Sequence, residues 1–174
     1  MPAPSRSGST GKAELDHRIS AIILDEKSVL KRTPEIEQER EVAISDLLEN
    51  NHFRPKGASG GPYRLSLSVT ENRLVFDVAR DNGPRDNSQR VGRILLSLAP
   101  FRRIVKDYFL VCDSYYKAMR TAPPSQIESL DMGRRAVHNE GTELLIKRLN
   151  GKIETNFDTA RRLFTLICVL HLKG

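Results

Sequence analysis

Arg134 and His138 stand one helical turn apart in MGRRAVHNEGTELL, residues 132–145. At about 100° per residue they share a face with Ile127, Leu130, Val137, Gly141 and Leu145. Arg135, Asn139 and Glu143 turn toward solvent. A guanidinium on an apolar face is costly unless it is paired and hydrogen-bonded. Two roles meet that requirement. In one, Arg134 ties helices together through a carboxylate such as Glu39, Asp77 or Asp107, and His138 is a satisfied core histidine. In the other, the pair lines a pocket at the end of the sheet and holds an anion. Arginine grips carboxylate or phosphate through two parallel hydrogen bonds, and histidine moves a proton near neutral pH. Gly141 on the same face suits a close backbone approach, or leaves room for a ligand.

Arginines recur as neighbours at Arg102–Arg103, Arg134–Arg135 and Arg161–Arg162. Each pair falls early or midway in an expected helix. Arg161 shares a stripe with Thr165 and Cys168. Arginine near a helix N-terminus adds its charge to the dipole and makes an anion site plausible. The alternative is a solvated helix start whose stems cover apolar surface. The candidate anion-binding set is therefore Arg134, His138, Arg161, Arg102 and Arg103, with no catalytic residue assigned.

Other chemistries have less to stand on. The histidines, at 17, 52, 138 and 171, are scattered, and Cys168 with His171 falls short of a structural zinc set. No metal and no cofactor is expected. Cys112 and Cys168 lie in apolar runs, which reads as buried, reduced thiols of a cytoplasmic protein. Nucleophilic catalysis would need one of them accessible beside a base. The chain has no P-loop, no dinucleotide glycine fingerprint and no helix-turn-helix pattern. Tyr108, Tyr115 and Tyr116 lie near basic residues and could stack bases, but their spacing on an apolar face favours core packing.

The net charge of +6 is unevenly placed. Residues 1–90 balance 14 basic against 14 acidic side chains, and residues 91–174 hold 14 against 8. That excess favours an anionic partner, either a nucleic acid or an acidic protein. No apolar run approaches the ~20 residues that span a bilayer, so a membrane is not an expected partner. A chain of 174 residues, 39% hydrophobic, suits one domain over 16–174 behind a disordered tail at 1–15, where Pro, Ser and Gly dominate.

The elements that must position these residues follow from periodicity. HRISAIILD predicts a strand from Arg18 to Leu24. Thr33 is an N-cap with Pro34 at the first helical position, and this helix runs to Glu49. A period of two in YRLSLSV and RLVFDVA predicts a hairpin, with Leu65, Leu67, Val69, Leu74, Phe76 and Val78 on its core face. RILLSL is a third antiparallel strand. A helix starts near Ser97 or Ala99. Ser125 caps the next, which stops at Gly151. Asp158 caps the last, whose middle is apolar nearly all round, as in a central buried helix. A β-strand is the competing reading there. The fold class is α+β: a small antiparallel sheet of three or four strands, about four helices mostly on one face, and a C-terminal half that is all helical.

PFRRIVKDYFLVCDSYYKAMRTAPPSQIESLDMGRRAVHNEG and FDTARRLFTLICVLH resemble uncharacterised protein family 0262 of the alphaproteobacteria. GPYRLSLSVTENRLVFD and RTPEIEQEREVAISDLLENN are similar to it as well, so the resemblance spans residues 16–174. It implies no activity and transfers no catalytic residue. The charge excess points first to a non-enzymatic binding or regulatory module for an anionic partner. The alternative is a small-molecule anion-binding protein or enzyme with a pocket around Arg134 and His138.

Overall fold

A computed structural model describes residues 16–26, 33–81 and 89–171. The expected tail at 1–15 and the middle of the polar loop after Arg80 lie outside the described residues. Strand β1, Ile19–Leu24, opens the fold. Helix α1, Pro34–Glu49, begins as its sequence requires: Thr33 accepts the Ile36 amide at 3.3 Å, and Glu35 and Glu37 occupy the first turn. These side chains complement the free amides and the dipole of the helix start.

Strands β2 (Phe53–Pro55), β3 (Tyr63–Thr70), β4 (Arg73–Arg80) and β5 (Arg90–Ser97) follow. The expected hairpin is β3–β4, with Leu65 opposite Val78 and Leu67 opposite Phe76. Its tip is the two-residue turn Glu71–Asn72, both with positive φ, as the twist of a tight hairpin demands. β4 pairs antiparallel with β5.

The sheet order is β1-β3-β4-β5, and β1 runs parallel to β3. The sheet is therefore mixed rather than purely antiparallel. A β1–β3 crossover carrying α1 is long enough to bring the chain back in the same direction. The C-terminal half also departs from all-helical. Strand β6, Ile153–Thr155, pairs with β2 in a small antiparallel ribbon.

A 3-10 turn, Ala99–Phe101, leads into α2, Arg102–Thr121. Helix α3 spans Pro124–Leu149 with Pro123 at its N-cap, so Ser125 lies inside the helix rather than capping it. It ends before Gly151, whose φ is 78°. Helix α4, Phe157–Leu170, is capped by Asn156, whose side chain accepts the Thr159 amide at 2.8 Å. Asp158 sits in the first turn instead. Helix α4 packs against α1, α3 and β3, and Leu163, Phe164, Leu166, Ile167 and Cys168 are buried. It is the central helix that its apolar circumference predicts. These residues join Leu65, Leu67, Leu74 and Phe76 of the sheet in a hydrophobic core. No helix among the described residues is long and apolar enough to cross a membrane.

Candidate functional site: a groove between four helices

Helix α3 divides as its wheel predicts. His138, Gly141, Thr142 and Leu145 are buried, and Arg135, Asn139 and Glu143 are exposed. Arg134 lies at the boundary, its side chain 27% exposed. It faces a groove of about 560 Å³ between α1, α2, α3 and α4, not at the end of the sheet as expected, because its lining residues all come from helices. Helix α1 lends Glu39, Val42, Ala43 and Asp46; α2 lends Tyr108, Tyr115, Tyr116 and Met119. Arg134 and His138 come from α3, and Asp158, Arg161, Arg162 and Thr165 from α4.

Glu39 organises one wall. Its carboxylate accepts the Tyr108 hydroxyl at 2.6 Å through one oxygen and the Tyr116 hydroxyl at 2.5 Å through the other. Burial, and then the negative charge of Glu39, push the Tyr108 phenol far above its ordinary value. Burial and the Glu39 hydrogen bond raise Tyr116 in the same way. Both phenols stay protonated and donate. These tyrosines thus combine core packing with a polar tip aimed at a carboxylate.

Arg134 donates from Nε and Nη2 to one Asp131 oxygen, at 3.3 and 2.7 Å. Its Nη1 lies 3.7 Å from Glu39, and its guanidinium stacks 4.7 Å from the centre of the Tyr115 ring. Glu39 is thus the one of the three anticipated carboxylates that Arg134 meets. Asp131 supplies the closer contact and was legible at the i,i+3 spacing that brings helical side chains together. The positive charge of Arg134 is neutralised within the chain.

His138 is buried and held between rings, with Tyr108 and Phe164 each 5.3 Å away edge-on. Its Nε2 and the Thr165 hydroxyl are hydrogen-bonded at 2.7 Å. Burial first, then the charges of Arg161 and Arg134, lower its pKa from 6.5 to about 4. At neutral pH it is an uncharged imidazole, which offers hydrogen bonding but little basicity.

Arg162 lies 3.8 Å from Asp46 and donates to the Asp158 carbonyl at 3.1 Å. Arg161 differs from the other groove cations. Among the described residues, its guanidinium has no ion-pair or hydrogen-bond partner. Arg134, His138 and Arg161 are therefore brought to one groove. Arg102 and Arg103 are not among its lining residues. Arg102 donates to Asn72 at the hairpin tip, and Arg103 pairs with Glu140 at 3.3 Å. Cys112 and Cys168 are buried free thiols. No group of three His, Cys, Asp or Glu among the described residues is arranged to hold a metal ion.

The family described as Uncharacterised protein family (UPF0262) matches residues 16–173. The chain belongs to that family. A UPF0262 protein of Nitrobacter winogradskyi is 58% identical over 91% of this chain and 92% of its own length. UPF0262 proteins of Caulobacter vibrioides and Rhizobium meliloti are 56% and 55% identical over 93% and 94% of the chain, covering 98% and 99% of their own lengths. No solved structure matches this UPF0262 member.

Proposed function

We propose that this UPF0262 protein binds a small anionic molecule in the four-helix groove. The observation that carries the reading is the exposed guanidinium of Arg161, without an ion-pair or hydrogen-bond partner among the described residues, in a groove where Arg134 and Arg162 already have carboxylates. A volume of about 560 Å³ suits a small molecule. Tyr115, Met119 and Val42 supply apolar surface, and the Thr165 hydroxyl, hydrogen-bonded to His138 at 2.7 Å, supplies a polar group beside Arg161. Arg134 serves by holding Glu39 and Tyr115 in place. Binding rather than turnover is the reading, because the groove histidine is a weak base and the buried thiols are poor nucleophiles.

A thermal-shift screen over nucleotides, sugar phosphates and organic acids tests this, since any ligand that prefers the folded state raises Tm. A saturable rise with an organic acid or phosphate, absent in Arg161→Gln, is expected. No rise beyond a salt control with any anion would refute the reading.

The charge excess of residues 91–174 favours a second reading, a binding or regulatory module for a nucleic acid or acidic protein. Arg102 and Arg103, both exposed on α2, would then join the contact surface. Nucleic-acid affinity that falls steeply with salt supports it, and no retention at low salt removes its nucleic-acid form.

A further inference from the structure

A second cleft, about 380 Å³, lies where the β2–β6 ribbon meets the end of α3. It shares no lining residue with the four-helix groove. Its charged residues are Arg54, Lys56, Lys152 and Glu154. Glu154 is engaged at 3.9 Å by Arg54 and at 4.0 Å by His52. The ammonium groups of Lys56 and Lys152 have no side-chain partner among the described residues.

The chain segments that carry them are joined through backbone. The Lys56 amide donates to the Lys152 carbonyl at 2.9 Å, which joins the two chain segments that carry the lysines. Carbonyls at the end of a helix would ordinarily repel an anion. Two of the last four carbonyls of α3 are capped here, Leu149 by the Lys152 amide at 2.8 Å and Lys147 by the Asn150 amide at 3.3 Å. Gly57 and Gly151 both line the cleft, with φ of 79° and 78°. Neither amide has a hydrogen-bond acceptor among the described residues. A Cβ on either glycine would meet open space. Left-handed residues beside basic side chains are the ingredients of backbone nests that hold anions.

We infer that this cleft binds a phosphomonoester group through Lys56, Lys152 and the adjoining glycine amides. A phosphomonoester carries close to two negative charges at neutral pH and three acceptor oxygens, which matches two ammonium groups and two free amides.

The test is a chemical-shift titration of the 15N-labelled full chain with inorganic phosphate, against sodium chloride at equal ionic strength. Saturable shifts at the amides of Lys56, Gly57, Gly151 and Lys152 are expected with phosphate alone. Lys56→Gln with Lys152→Gln should abolish the saturation and leave the remaining spectrum unchanged, since both side chains are exposed. Equal shifts in both salts, or saturation that persists in the double variant, would overturn the inference. So would shifts produced by a single-stranded oligonucleotide without terminal phosphates but not by inorganic phosphate, which would make the site one for phosphodiesters. The groove variant Arg161→Gln leaves this titration unchanged, so the two sites fail or succeed separately.

Discussion

The Glu39 carboxylate on α1 accepts the Tyr108 hydroxyl of α2 at 2.6 Å, across the floor of the four-helix groove. Its second oxygen takes Tyr116, and Arg134 lies behind it. Replacing one of its oxygens by an amide NH2, which donates, leaves one of the two phenols without its acceptor. Glu39→Gln, which keeps the volume, should cost about 1–3 kcal/mol, whereas Tyr116→Phe, at a half-buried ring, should cost about 1 kcal/mol. Combining the two should be less than additive, because they share one network. Urea unfolding monitored by circular dichroism measures all three.

Gly141 sits where α3 meets the ring of Phe164. A Cβ at this position would collide with three atoms of that ring. Helix propensity alone favours alanine over glycine by about 1 kcal/mol. Forcing extra volume into a packed core costs about 1–3 kcal/mol, so the collision wins. Gly141→Ala should lower the urea midpoint, and a raised midpoint would show that Phe164 moves aside freely.

His138 ties stability to pH. Its folded pKa is about 4, below the 6.5 of an ordinary imidazole. Above pH 6.5 the ring is neutral in both states. As pH falls from 6.5 toward 4, the unfolded chain takes up a proton that the fold refuses, and stability drops by up to about 3 kcal/mol. Charged groups around the ring, Arg134 and Arg161, act in the same direction. Between pH 6.5 and 5, where carboxylates contribute least, the stability of His138→Gln should be flatter with pH than that of the wild type.

Much of this was legible where one period governs a long segment. The wheel of α3 separated Arg134, His138 and Gly141 from Arg135, Asn139 and Glu143 because each helical residue turns by about 100°, which puts 134, 138, 141 and 145 on one side. A period of two gave β3 and β4, and an apolar run without a polar side gave the central place of α4. Strands β2 and β6 escaped because three residues hold no periodicity, and their pairing joins positions about 100 apart. Nothing local told that β1 would pair parallel with β3. At the site, Glu39 was foreseen only as a partner for Arg134. Its two phenol bonds link α1 to α2 at separations of 69 and 77 residues, beyond any pattern in one helix. Asn156 rather than Asp158 caps α4, a shift of two residues between side chains of equal capping ability.

The thiols should be inert in the folded protein. Burial, and then the charge of Glu39, push Cys112 up to about 12, and burial raises Cys168 as well. Iodoacetamide at pH 8 should leave both unmodified in the native state and alkylate both in denaturant, as read by intact mass.

Arg161, without an ion-pair or hydrogen-bond partner among the described residues, carries the functional reading, so a calorimetric titration decides most directly. The strongest anion from the thermal-shift screen is titrated into wild type, Arg161→Gln and Arg102→Gln. Arg161→Gln should weaken binding roughly tenfold or more, the loss of about 1.4 kcal/mol or more expected when a charge-assisted contact is removed. Arg102→Gln, outside the groove, should bind as the wild type does. Equal affinity in wild type and Arg161→Gln would contradict the assignment of the groove as the anion site.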